Sequence, residues 1–99
     1  KSGVSLDSLE GLVEAIDSLP NLSLRGLMSI PDPTDAMHLK AAHEQLHDAF
    51  MRLQARVSES AQFDTLSMGM TNDLQLAIAS GSTMVRIGTA LFGKRLPKE

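Results

Sequence analysis

Asp64-Thr65-Leu66-Ser67-Met68-Gly69-Met70-Thr71-Asn72-Asp73, followed by Gly81-Ser82-Thr83-Met84-Val85-Arg86-Ile87-Gly88-Thr89-Ala90-Leu91-Phe92-Gly93, is the stretch that decides the fold. Asp64 to Met70 is short and apolar enough for a buried strand. Thr71-Asn72-Asp73 supplies capping residues for a helix through Ile78. Ala79-Ser80-Gly81-Ser82 reads as a turn and Thr83 to Ile87 as a last strand. Gly88-Thr89 then opens a short helical turn to Phe92. Strands alternating with helices in this order imply parallel strands joined by right-handed crossovers.

The same alternation extends upstream. Leu6, Leu9, Leu12, Val13 and Ile16 recur at helical spacing, with Ser5 as N-cap and Asp7 and Glu10 at the positive end of the helix dipole. Pro20 ends that helix because it cannot continue the hydrogen-bond ladder. Leu22 to Ile30 reads as a strand with Leu22, Leu24, Gly26, Met28 and Ile30 on one face, broken by Pro31-Asp32-Pro33. Thr34 or Asp35 caps a long helix to about Val57, whose apolar stripe is Leu39, Ala42, Leu46, Ala49, Phe50, Leu53 and Val57. Three parallel strands leave two open edges, so the 99 residues are expected to be part of a larger sheet. The chain opens on Lys1 and not on Met, which fits a processed, truncated or tagged start.

Composition narrows the function classes. Hydrophobic content is 42% and the aromatics are three Phe, so Leu, Ile, Val, Met and Ala must build the core. A net charge of −3 without a Lys/Arg cluster offers no track for nucleic acid. Without cysteine there is no disulfide or thiolate chemistry, which fits a reducing compartment and a cytoplasmic location. No apolar run approaches the roughly 18 residues of a membrane span.

Two constellations carry chemistry. His43-Glu44-Gln45-Leu46-His47 matches the H-E-x-x-H pattern of zinc hydrolases, and it lies on a helix as that site requires. At about 100° per residue, however, His43 falls near the edge of the apolar stripe and His47 further toward solvent. No third ligand follows at metzincin spacing. A solvated helix face, with no bound metal, is the preferred reading. The second constellation joins two separate segments. In (β/α)8 barrels, phosphate sites are built from the loops after the last two strands and the N-terminus of a short extra helix. Ser67-Met68-Gly69-Met70 offers a hydroxyl and a close backbone approach, and Gly88-Thr89-Ala90 offers inward amides and a second hydroxyl. Ordinary strand-end turn chemistry is the competing reading.

These two segments resemble the signature of the pyridoxal-phosphate (PLP) homeostasis proteins, the YggS/PROSC family. Leu24-Arg25-Gly26-Leu27-Met28-Ser29-Ile30-Pro31 and Lys1-Ser2-Gly3 are similar to that family as well, so the resemblance covers nearly the whole chain. Thr71 stands where the family usually has Ser, and either can cap the following helix.

The resemblance implies an α/β fold: the last three β/α units of a (β/α)8 TIM barrel of the alanine-racemase N-terminal-domain type. Residues 1–99 would form the C-terminal portion of a single PLP-binding domain whose earlier strands lie elsewhere. It implies that Ser67, Gly88 and Thr89 hold the cofactor phosphate and that Arg86 approaches the pyridine nitrogen. A guanidinium there disfavours a protonated ring nitrogen, which suits a carrier better than an enzyme making carbanions. The family's Schiff-base lysine belongs to the first strand; Lys1, Lys40, Lys94 and Lys98 do not match it and read as surface or loop charges. The implied function is intracellular PLP homeostasis without turnover. PLP is the ligand, PLP-dependent apoenzymes are possible partners, and neither nucleic acid nor membrane is expected. A PLP-dependent amino-acid racemase of the same barrel is the alternative. Such racemases draw a tyrosine base from a second domain, whereas this sequence has no Tyr and ends six residues after Gly93.

Overall fold

Leu39, His43, Leu46, Phe50, Leu53 and Val57 alternate steps of four and three, which places them on one line along a helix. In the computed structural model, which describes residues 3–32 and 35–93, that helix is α2, Ala36–Gln54. Asp35 caps it by accepting the His38 amide at 2.7 Å, while Thr34 lies outside the described residues. The helix stops at Gln54, so Val57 is buried from the turn beyond it.

α1 spans Leu6–Asp17 and packs across α2. Ser5 stands at its N-cap position, but its hydroxyl meets that of Ser8 and caps no amide. The C-terminal ends of α1 and α2 are clasped at the surface. Arg56 pairs with Glu10 and Glu14, and Asp17 accepts both the amide and the hydroxyl of Ser58 at 3.0 Å.

β1 (Gly26–Met28) and β2 (Thr65–Ser67) form a parallel pair with Gly26 opposite Thr65 and Met28 opposite Ser67. Their ladder runs from Arg25, whose carbonyl accepts the Thr65 amide, to Ser29, whose amide donates to the Ser67 carbonyl. The strand expected over Leu22–Ile30 is therefore shorter. Leu24 and Leu27 both pack on the core and Leu22 is exposed, so the period-two face predicted for 22–30 does not form. Side chains alternate across the pair. Leu27, Leu66 and Met68 face the helices, whereas Met28 and Ser67 face the other way.

The core fills the space between that first face and the helices: Val13, Leu46, Phe50, Leu53, Val57, Phe63, Leu66, Met68 and Ala77. Phe50 and Phe63 stack with ring centroids 5.1 Å apart. A turn of 3-10 helix at Ser60–Gln62 leads into β2, and Gln54 fixes this corner by donating to the Phe63 carbonyl at 2.7 Å.

After β2, a 3-10 turn at Thr71–Asp73 runs into α3 (Leu74–Ala79), and the last helix is α4 (Thr89–Phe92). Between them, the strand predicted for Thr83–Ile87 is reduced to one parallel bridge, Met84 to Ser67. The cause is side-chain competition for ladder positions. Thr83 Oγ1 accepts the Leu66 amide at 2.7 Å, and Ser82 Oγ donates to the Met68 carbonyl at 2.7 Å. The Arg86 amide, displaced by one residue, donates to the Gly69 carbonyl instead. The chain still runs parallel to β2 here, so the spatial order is β1, β2, then 82–87. No helix among the described residues is long and apolar enough to cross a membrane.

Candidate functional site: the C-terminal ends of the strands

Three parallel segments bring their C-terminal ends together, which is where open and closed α/β sheets bind ligands. Ser29 follows β1, Ser67 ends β2, and Arg86 to Thr89 close the third segment. Arg86 is half-buried on the face opposite the core and reaches across both neighbours. Its Nη1 donates to the Ser67 carbonyl at 3.0 Å and to the Ser67 hydroxyl, and its Nη2 donates to the Ser29 carbonyl at 2.7 Å. These carbonyls take the place of an ion pair for the half-buried guanidinium. Among the described residues no carboxylate lies within salt-bridge distance of Arg86.

Ser67 is buried and accepts from Arg86, so its own O–H proton is left to donate elsewhere. Gly88 and Thr89 are exposed, and their amides donate to no group among the described residues. Space beside the Gly88 α-carbon is open: nothing lies within 4 Å of the position a side chain would take. Gly69, in contrast, is held tightly. Its φ is +99°, and an added Cβ would meet the Ala77 Cβ at 2.6 Å, so only glycine lets the loop turn against α3.

The loop between β2 and α3 is tied to both sides. Asp73 Oδ1 accepts the Met70 amide and Asp73 Oδ2 meets His43 Nε2, each at 2.8 Å. Thr71 Oγ1 accepts the Ala90 amide at 3.3 Å, linking this loop to the start of α4. Thr71 therefore caps no helix of its own loop; the carboxylate of Asp73 organises that turn.

His43 corrects the sequence-based expectation. It has no solvent exposure and lies at the centre of the α2 stripe, not on a solvated face. His47 is half-buried, its ring against Gly81. The two imidazoles thus face different partners, and among the described residues no three His, Cys, Asp or Glu side chains converge as metal ligands would. Lys40 is exposed on α2; Lys1, Lys94 and Lys98 lie outside the described residues.

Two carboxyls lie below the ordinary value of 3.8. At Asp73 burial acts to raise the pKa, but the Met70 amide and the His43 ring outweigh it and hold it down. At exposed Asp64 the Arg25 guanidinium lowers it first and the Thr65 hydroxyl second. A carboxyl depressed by folding adds stability above its unfolded pKa, and that stability is lost as pH falls toward the folded value. In denaturant unfolding, the stability of the intact protein should therefore fall below about pH 4. Asp73→Asn should flatten that acid limb while lowering stability at neutral pH. An unaltered acid limb in the variant would remove Asp73 from this role.

Residues 1–96 match the model of the alanine racemase N-terminal domain. The pyridoxal phosphate homeostasis protein of Pasteurella multocida is 51% identical over 96 residues, covering 96% of this chain and 41% of that protein. A crystal structure of an unknown protein from Bifidobacterium adolescentis superposes with a TM-score of 0.85 at 35% identity, covering 93% of this chain and 37% of that one. PipY of Synechococcus elongatus with PLP bound gives 0.81 at 31% identity, covering 94% and 44%. The chain thus spans about two fifths of the length of the curated relative it matches. With its mixed helices and parallel strands, it belongs to the alanine racemase N-terminal domain family.

Proposed function

We propose that residues 1–99 are the C-terminal three β/α units of a (β/α)8 PLP-binding barrel that serves intracellular PLP homeostasis and has no turnover of its own. The observation that carries this reading is Arg86 bridging Ser67 and the Ser29 carbonyl at the C-terminal end of the strands, two residues before the Gly88–Thr89 turn. A relative named for PLP homeostasis and a structural neighbour holding PLP support the choice of ligand. A cytoplasmic location accompanies the proposal, supported by the absence of cysteine. PLP-dependent apoenzymes are the proposed recipients of the cofactor.

The residues fit the group. Ser67 keeps a hydroxyl proton to donate, the Gly88 and Thr89 amides have no other acceptor among the described residues, and Gly88 leaves room for an anion to approach. Bound PLP would supply an aldehyde and an electron-accepting pyridine ring. Ser67, Gly88 and Thr89 would grip its phosphate. Arg86, fixed by the Ser29 and Ser67 carbonyls, would present a permanent cation toward the ring nitrogen and disfavour a proton there.

The test is absorbance titration of the complete barrel with PLP and with pyridoxal, which lacks the phosphate. Ser67→Ala and Thr89→Val should each weaken PLP about tenfold, as expected for a hydrogen bond to a charged group, with pyridoxal affinity little changed. Arg86→Ala should alter the spectrum of bound PLP more than its affinity. If the wild-type barrel binds PLP and pyridoxal equally, the phosphate assignment fails. An unchanged spectrum with lost binding would reassign Arg86 to the phosphate.

A further inference from the structure

His43 is a polar side chain at a position the α2 stripe would otherwise fill with an aliphatic residue. Its Nε2 lies 2.8 Å from Asp73 Oδ2, while its Nδ1 is buried without a partner among the described residues. With the ring proton on Nε2, His43 donates to the carboxylate, and the orphaned Nδ1 is an acceptor. An orphaned buried acceptor is destabilising.

What the arrangement achieves lies outside α2. Asp73 uses its second oxygen to hold the Met70 amide at 2.8 Å, so one carboxylate joins the buried ring to the loop after β2. Thr71, two residues before Asp73, accepts the Ala90 amide at 3.3 Å. Ala90 follows the Gly88 and Thr89 amides directly. A continuous chain of contacts thus runs from the core to the start of α4, through the loop that follows Ser67.

We propose that His43 and Asp73 are positioning residues for the anion site: they fix the 69–73 loop, and through Thr71 they set the Gly88–Thr89 amides against Ser67. The proposal rests on the phosphate reading above. Neither residue touches the ligand. Their effect is on the geometry of the groups that do, so it falls on the phosphate and not on the rest of the cofactor.

The experiment uses the complete barrel, titrated with PLP and pyridoxal by absorbance, with inorganic phosphate as competitor. His43→Leu should weaken PLP and inorganic phosphate about tenfold, the scale of losing a charge-assisted hydrogen bond, and leave pyridoxal within about twofold. His43→Gln, which offers an amide N–H to Asp73, should recover most of the loss. Thr71→Val, which cuts the last link without touching the core, should reproduce it. Should His43→Leu fail to fold, His43→Gln and Thr71→Val decide the matter by the same ratio. Equal weakening of PLP and pyridoxal in Thr71→Val, or undiminished preference for PLP in both His43→Leu and Thr71→Val, would overturn the proposal. Such a result with a wild-type barrel that prefers PLP would leave the phosphate site standing. A wild-type barrel without that preference would remove both.

Discussion

Gly26→Ala should cost the intact protein on the order of 4 kcal/mol, at the upper end of what single substitutions do. Gly26 lies opposite Thr65 in the parallel pair, and a Cβ on it would run into the Thr65 carbonyl. The obstacle is backbone, so no rotamer change relieves it. Either β1 and β2 separate at this point or the ladder from Arg25 to Ser29 shifts. Both outcomes disturb the Ser29 carbonyl that holds Arg86, so ligand binding should fall together with stability. Gly11→Ala is the matched control. Gly11 lies in α1 with open space around it, and alanine there should stabilise the helix by up to about 1 kcal/mol. Denaturant midpoints of the two variants check the pair of values. A Gly26→Ala protein unfolding at the wild-type midpoint would contradict the close approach of the two strands.

The difference between these glycines also shows what was legible in the sequence. The run from Leu39 to Leu53 has a period that dictates a buried stripe, and α2 presents it, while Val57 joins the core from the turn beyond. Parallel order followed from strand–helix alternation, and it placed Ser67 and Arg86 at one end of the sheet. Strand lengths were not legible. The Ser82 and Thr83 hydroxyls occupy ladder positions of β2, a competition that depends on three-dimensional proximity and leaves no periodic trace. His43 was misplaced for a related reason. A histidine beside Glu44 and Asp48 resembles a solvated face until Asp73, thirty residues on, is seen to accept from it. The one available signal was its spacing, four residues after Leu39 and three before Leu46. Thr71 reads locally as a cap, but its hydroxyl serves an amide nineteen residues away.

Residues 1–99 expressed alone should give no cooperative unfolding transition and should self-associate. The sheet consists of β1, β2 and a segment joined to β2 by a single bridge, and among the described residues no further strand covers its outer edges. Its second face carries Met28 at 60% exposure and Met84 at 52%, side chains that opposing strands would cover in a closed barrel. Leu91 and Phe92 at the chain's far end are more exposed still. An apolar groove of about 860 Å³ runs between α1, α2 and β1, lined by Leu6, Leu9, Leu12, Ile16, Leu24 and Leu27. The radius of gyration is 14.9 Å against about 13 Å for a compact domain of this length. Such surfaces associate when nothing covers them. If the proposed barrel is correct, co-expression with the segment that supplies its earlier strands should instead give a soluble complex with a cooperative transition. Sedimentation and thermal unfolding decide between the outcomes. A monodisperse monomer melting cooperatively from residues 1–99 alone would sink the reading of this chain as part of a closed barrel.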